Sequence, residues 1–204
     1  MYENGFIAVQ SESAMKAVLN TGIEKGMKVL DCCAAPGGKS AYAAALAQNT
    51  IDITAWDIRE HRVDMTKKNY DRLGVGHYSC SVHDAKIFEP GLEGSFDAVI
   101  VDAPCSAMGL MSKSPDIRYS RTPEDIKALS EIQHDMISVC ARYVRPGGTL
   151  AYYTCSINRE ENEQVTERFL AENAGFEYAR EPETLYPHLC GSDGFYIAVM
   201  KRKV

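Results

Sequence analysis

The sequence predicts a doubly wound α/β fold built on a mostly parallel sheet, and three observations carry that reading. Segments of strand character alternate with segments of helical character along nearly the whole chain, the pattern of a parallel sheet covered by crossover helices. At Lys28 to Ser40, KVLDCCAAPGGKS, a short apolar run ends in an acid and passes through small residues, a proline and paired glycines into an alanine-rich stretch. Chemically capable residues also gather at the carboxyl ends of the strand segments, at Pro36 to Lys39, Asp57, Asp84, Asp102 to Cys105, and Cys155. In open α/β sheets the ligand lies beyond those ends, so these positions point to one edge of one sheet.

Residues 1 to 25 read as a lead-in segment and one helix, with the serines and glutamate of Ser11 to Leu19 suiting a helix N-terminus. Val29 to Asp31 is the first strand, and Gly38 onward is a helix of high intrinsic propensity. Ile51 to Ala55 is a second strand that runs into Trp56 and closes at Asp57. Ile58 to Leu73 is a charged helix that Gly74 to Gly76 ends with residues free to turn left-handed. His77 to Val82 is the third strand, and Phe96 to Val101, nearly all apolar, is a central one covered on both faces. Met111 to Thr122 is a charged loop. Thr122 caps a long helix with proline at its first position, which runs to about Arg145 and stops at Pro146-Gly147-Gly148. Thr149 to Thr154 is a strand leading to Cys155-Ser156, and Asn158 to Ala174 is an amphipathic helix. Phe176 to Tyr178 and Gly194 to Lys201 supply the last strands, with an antiparallel one at the C-terminal end, and Glu181 to Asp193 is a loop.

With 204 residues, 45% of them hydrophobic, the chain has material for one domain spanning residues 1–204. It carries neither a membrane-length apolar run nor a basic, apolar leader, which points to a cytoplasmic protein with no membrane partner. Seven cysteines without a CxxC pair argue against a zinc site and against a disulfide framework, so no metal is expected. Cys32, Cys80, Cys140 and Cys190 read as packing residues, and the five histidines show no ligand spacing. A net charge of −6 is unfavourable for gripping a polyanion and leaves only local basic positions such as Lys113, Arg118 and Arg121.

The turn at Pro36 to Lys39 lacks both the GxGxxG and the GxxxxGK[ST] spacings, so by itself it reads as a loop for a nucleotide-type cofactor. Asp57, about twenty residues beyond it, stands where an acid bonds the ribose of an adenosine-containing cofactor in such folds.

The turn CAAPGGK, Asp102-Ala103-Pro104-Cys105-Ser106 and Thr154-Cys155-Ser156 together resemble the NOL/NOP/Sun family of S-adenosylmethionine-dependent RNA cytosine-C5 methyltransferases. The likeness is greatest to the bacterial 16S ribosomal RNA enzymes, and it extends through Pro115-Asp116-Ile117, Arg121 to Asp125, Glu160-Glu161-Asn162 and Asp193-Gly194-Phe195. The resemblance implies a Rossmann-like methyltransferase fold, S-adenosyl-L-methionine as cofactor and ribosomal RNA as partner. It implies that Cys33, Ala34, Ala35, Pro36, Gly37, Gly38, Lys39, Asp57, Arg62, Asp84, Asp102 and Pro104 bind the cofactor. Cys155 would be the nucleophile, Cys105 would assist release, and Lys39 and Asp102 would face the base. Ser112 and Lys113 stand where relatives commonly carry two basic residues. The family's N-terminal RNA-binding segments do not precede the catalytic domain here, so a separate or fused RNA-binding domain is an expected partner.

Cytosine C5 is a poor nucleophile, and a thiolate added at C6 makes it reactive; only cysteine suits that role. A donor must meet the charge that develops at N3, and Asp102 is the candidate if it carries a proton or orients the amino group. The base must be unpaired or flipped out to be reached. Two other readings stand beside this one: a DNA cytosine methyltransferase with Cys105 as nucleophile, and a cofactor-binding module without catalysis.

Overall fold

The computed structural model describes all 204 residues as one sheet flanked by helices. Ser11 caps α1 (Glu12–Thr21) by accepting from the Ala14 amide, and Gly22 ends it in the left-handed region at φ 69°. The strands β1 (Lys28–Asp31), β2 (Asp52–Asp57) and β3 (Tyr78–Val82) alternate with α2 (Gly38–Leu46) and α3 (Glu60–Leu73). Next come β4 (Phe96–Asp102), the short α4 (Ile117–Ser120), the long α5 (Pro123–Cys140) and β5 (Val144–Thr154). The chain closes with α6 (Glu163–Glu172), β6 (Phe176–Tyr178), β7 (Glu183–Leu185), α7 (Pro187–Cys190) and β8 (Phe195–Arg202).

The sheet runs β3-β2-β1-β4-β5-β8-β6, with β7 paired to β8. The pairs from β3 to β5 are parallel, whereas β8 is antiparallel to β5, β6 and β7. From β1 the chain builds outward through β2 and β3, then returns to lay β4 and β5 on the other side. That reversal leaves a crevice beyond the carboxyl ends of β1 and β4, the place where doubly wound sheets bind ligands. The antiparallel course of β8 brings its amino end, with Phe195, to the same edge. Each face of the sheet carries its own apolar layer. Val29, Ile53, Ile100, Tyr153 and Ile197 pack with α1 and α2 residues on one, and Leu30, Trp56, Val99, Tyr152 and Met200 pack with α5 and α6 residues on the other. Successive residues of a strand alternate between the two layers, as the pleat requires. No helix is long and apolar enough to cross a membrane.

Several boundaries differ from those the sequence predicts, and the Met111 to Thr122 segment read as a loop contains α4. The long helix ends at Cys140 rather than near Arg145, because Val144 already pairs with Phe96 and the Pro146-Gly147-Gly148 stretch lies inside β5 as a bulge. Arg145 is tied there to Asp97 at 2.5 Å, and Gly147 sits at φ 72°. The helix expected from Asn158 begins at Glu163, since residues 158 to 162 form turns held by side-chain hydrogen bonds. The helix expected from Ile58 begins at Glu60. The segment read as a loop, residues 181 to 193, contains β7 and α7. Of the four cysteines read as packing residues, Cys32 and Cys140 are buried, Cys80 is half-buried, and Cys190 is exposed at the end of α7.

Candidate active site

The crevice beyond β1 and β4 is a cleft of about 580 Å³. Ten of the residues singled out above line it together: Cys33, Ala35, Lys39, Asp57, Arg62, Asp84, Asp102, Pro104, Cys105 and Cys155. Asp57 closes β2 almost wholly buried, taking hydrogen bonds from the Arg59 amide at 3.2 Å and from Arg62 Nε at 2.9 Å. Arg62 also donates to the Ala35 carbonyl at 3.0 Å, so α3 is fastened to both Asp57 and the turn after β1.

Ala34, Pro36, Gly37 and Gly38 do not line the cleft. Their backbone shapes it from behind. The Ala34 amide donates to the Trp56 carbonyl at 2.8 Å, and the Pro36 carbonyl accepts from Asn69 at 2.9 Å. Gly37, at φ 90°, packs so closely on Tyr70 that a Cβ there would lie 2.7 Å from the ring. The small residues of this turn are therefore needed for its fit against α3.

Lys39, on the first turn of α2, reaches across to Asp102 at the end of β4, with Nζ 2.6 Å from Oδ2. Burial works against the lysine's charge, but Asp102 more than offsets it and holds the Lys39 pKa above its ordinary value. Asp102 thus accepts a hydrogen bond from the Lys39 ammonium, and the pair presents its positive charge to the cleft through Lys39. The Lys39 ammonium also lies 5.5 Å from the centre of the Phe195 ring.

The loops after β4 and β5 bring Cys105 and Cys155 to a sulfur-to-sulfur distance of 3.2 Å. The hydrogen bond to Cys155, followed by burial, pushes the Cys105 thiol well above its ordinary range. The same hydrogen bond, aided by Lys39, holds Cys155 below its ordinary value against burial and the Asp102 charge. Of the two thiols Cys155 is therefore the more acidic, and Cys105 holds its proton the more tightly. All seven cysteines are free, and no cluster of His, Cys, Asp or Glu is arranged to hold a metal ion.

A family model described as 16S rRNA methyltransferase RsmB/F matches residues 18–201. The chain belongs to that RsmB/F family. Among curated relatives, it is 36% identical to the probable ribosomal RNA small subunit methyltransferase B of Bacillus subtilis over 99% of this chain and 49% of that protein. It is 33% identical to the ribosomal RNA small subunit methyltransferase F of Serratia proteamaculans over 98% of this chain and 45% of that one. The chain spans about half the length of these relatives. Among solved structures, NSun6 from Pyrococcus horikoshii, determined with SFG, superimposes with a TM-score of 0.88 at 27% identity, covering 98% of this chain and 54% of that one. A methyltransferase homolog protein from Pyrococcus horikoshii gives 0.85 at 31% identity, covering 98% and 69%. A SAM-dependent O-methyltransferase from Thermotoga maritima, at 15% identity and a TM-score of 0.63 over 97% of this chain and 67% of that one, shares the fold.

The RsmB/F chain also places in its cleft residues that sequence reasoning passed over. His83 lies against Trp56 with ring centres 4.1 Å apart and the planes tilted by 37°, while Ile58 follows Asp57 and lines the wall. Ile132 and Met136 come from α5, and Phe195 comes from β8. His83 directly precedes Asp84 at a strand end, and Ile132 and Met136 are spaced for one helix face; these were usable signals. For Phe195 the sequence offered only the Asp193-Gly194-Phe195 likeness, and it is the antiparallel course of β8 that brings it to the cleft. Of the basic positions on the loop after Gly109, Lys113 is paired with Asp193 at 2.8 Å and Arg121 donates to the Ser106 carbonyl at 3.2 Å.

Proposed function

We propose that this chain binds S-adenosylmethionine in the cleft and transfers its methyl group to C5 of a cytosine in small-subunit ribosomal RNA, with Cys155 as nucleophile. The observation that carries the reading is the pair of sulfurs 3.2 Å apart, facing the same cleft as the Lys39–Asp102 ion pair. The cofactor fits the donor set. Acids Asp57 and Asp84 suit ribose hydroxyls and an adenine amino group, and Ile58, Pro104, Ile132 and Met136 supply apolar surface for a purine. When bound, S-adenosylmethionine supplies an electrophilic methyl group.

Cys155 adds as thiolate to C6, and the electron pair displaced from the C5–C6 double bond is delocalised toward N3 and O2. Lys39 is the cation in the cleft that meets this charge, while Asp102 accepts from the exocyclic amino group and holds the lysine in place. Once C5 carries the methyl group, its remaining proton leaves to water. The double bond then re-forms as the C6–S bond breaks. Cys105 assists by keeping its S–H as a hydrogen bond to the departing thiolate of Cys155, and its high proton affinity holds the proton on Cys105 while it does so.

The two cysteines therefore act at different steps, and single variants separate them. Cys155→Ala should bind cofactor yet form no covalent RNA adduct. Cys105→Ala should form the adduct and transfer the methyl group, then stall, so that a protein–RNA band survives denaturing electrophoresis and vanishes in the double variant. An adduct that persists in Cys155→Ala and disappears in Cys105→Ala would make Cys105 the nucleophile, as in the DNA-type arrangement. Absence of methyl transfer by the unaltered chain, in the presence of its RNA-binding partner, would favour a non-catalytic module.

A further inference from the structure

Behind the two cysteines lies a carboxylate that the chemistry above does not use. Glu161 is fully buried, and its acid has no cationic partner. Oε1 accepts from the Ser106 amide at 2.7 Å and from Gln133 Nε2 at 3.1 Å; Oε2 accepts from the Ser106 hydroxyl at 2.5 Å and the Ser156 hydroxyl at 2.6 Å. A carboxylate offers about four lone-pair sites, and here all are taken. Ser106 follows Cys105 and Ser156 follows Cys155, so one side chain grips the residue next to each thiol. Gln133 also donates to the Pro104 carbonyl at 2.9 Å, fixing the residue on the other side of Cys105.

A buried charge held only by neutral donors is costly to desolvate and survives where its hydrogen bonds are complete. A pair of apolar residues could close the same space more cheaply. We propose that Glu161 is a positioning residue that clamps the β4 and β5 loops together and so sets the approach of the Cys105 and Cys155 sulfurs. The inference rests on the proposed two-cysteine chemistry for its purpose, but its geometry is measurable without RNA. The negative charge of Glu161 also helps keep Cys105 protonated.

The test is the rate at which the oxidant diamide, which takes up two protons and two electrons, closes an intramolecular Cys105–Cys155 disulfide, followed by mass spectrometry on the whole chain. Closure requires the sulfurs to meet. Glu161→Leu, which removes the acceptor of four buried hydrogen bonds, should slow closure by roughly tenfold or more, in line with the sensitivity of proximity-driven reactions to small displacements. Ser156→Ala, which removes one arm with little change of volume, should slow it by a smaller factor, and it decides the matter if the leucine variant does not fold. Glu161→Gln should restore most of the rate, because its amide oxygen can accept from Ser106 and Gln133 while the serine hydroxyls rotate to accept from its amide N–H. Thr166→Val, which removes a buried hydroxyl bonded to Tyr178, Tyr196 and the Asn162 and Glu163 carbonyls but not to the Glu161 carboxylate, should lower the melting temperature without slowing closure. Unchanged closure in Ser156→Ala and in a folded Glu161→Leu would overturn the proposal, as would equal slowing in Thr166→Val. Methyl transfer that fails while these results hold would sink the proposed reaction and leave the clamp standing.

Discussion

Asp31 stands at the carboxyl end of β1 with Oδ2 accepting from the Ser40 hydroxyl at 2.7 Å and Oδ1 buried without a partner. Burial, more than any neighbour, pushes its carboxyl up to about 6 from an ordinary 3.8. Between those values the folded chain keeps a proton that the unfolded chain has released, so this group makes stability fall as pH rises through the window. Above it the buried charge costs a constant amount, on the order of 3 kcal/mol, since each tenfold change in proton affinity is worth about 1.4 kcal/mol. Asp31→Asn should therefore flatten the pH dependence of the urea midpoint between pH 4 and 6 and stabilise the chain at neutral pH. A variant whose midpoint tracks that of the unaltered chain across this range would assign the proton to another group. In the sequence Asp31, Asp57 and Asp102 look alike, each an acid closing a strand. What separates them is three-dimensional: Arg62 beside Asp57, Lys39 beside Asp102, and no cation bonded to Asp31. The motif residues could be read as a set, but the roles within it could not, and Asp102 as an acceptor from Lys39 is the clearest case.

At the scale of elements, three loops meet behind the thiols through two glycines. The Gly109 amide donates to the Cys155 carbonyl at 2.9 Å, and the Gly194 amide donates to the Gly109 carbonyl at 2.9 Å. A Cβ on Gly109 would lie 2.2 Å from the Gly194 carbonyl oxygen, a contact that backbone cannot relieve by a rotamer change. Gly109→Ala should accordingly cost about 1–3 kcal/mol in denaturant unfolding, the range for an overpacked site. It should also slow adduct formation by Cys155, whose carbonyl it would displace; full stability and an unaltered adduct rate would show the loops to be more pliant than the packing implies. The strands and main helices were legible because hydrophobic periodicity and caps are local, as with Thr122, which accepts from the Asp125 amide at 3.2 Å. The Pro146-Gly147-Gly148 bulge was not, since only the pairing of Val144 with Phe96, far away in the chain, converts a helix stop into a strand. The same holds for β7, three residues long and defined solely by its partner β8.

For the molecule as a whole, the net charge is −6, and of the three basic positions on the loop after Gly109 two, Lys113 and Arg121, are engaged in internal contacts while Arg118 is exposed and unpaired. RNA should bind residues 1–204 weakly, with a log–log salt slope equivalent to only about two or three phosphate contacts. Filter binding across salt concentrations checks this, and a steep slope with tight binding would mean that a basic surface has been overlooked. The doubly wound fold and its ligand edge could be anticipated from alternation alone, whereas the place of β8 could not. That strand lies between β5 and β6 although it is made after both. On a ribosome, β6 therefore emerges with no strand to pair with, and β5 with one side open, until synthesis has passed Arg202. Phe195 likewise reaches the cleft wall only then. The cleft edge is thus closed by the last strand of this sheet to be translated, and every nascent chain passes through a stage in which both cysteines exist but their enclosure does not.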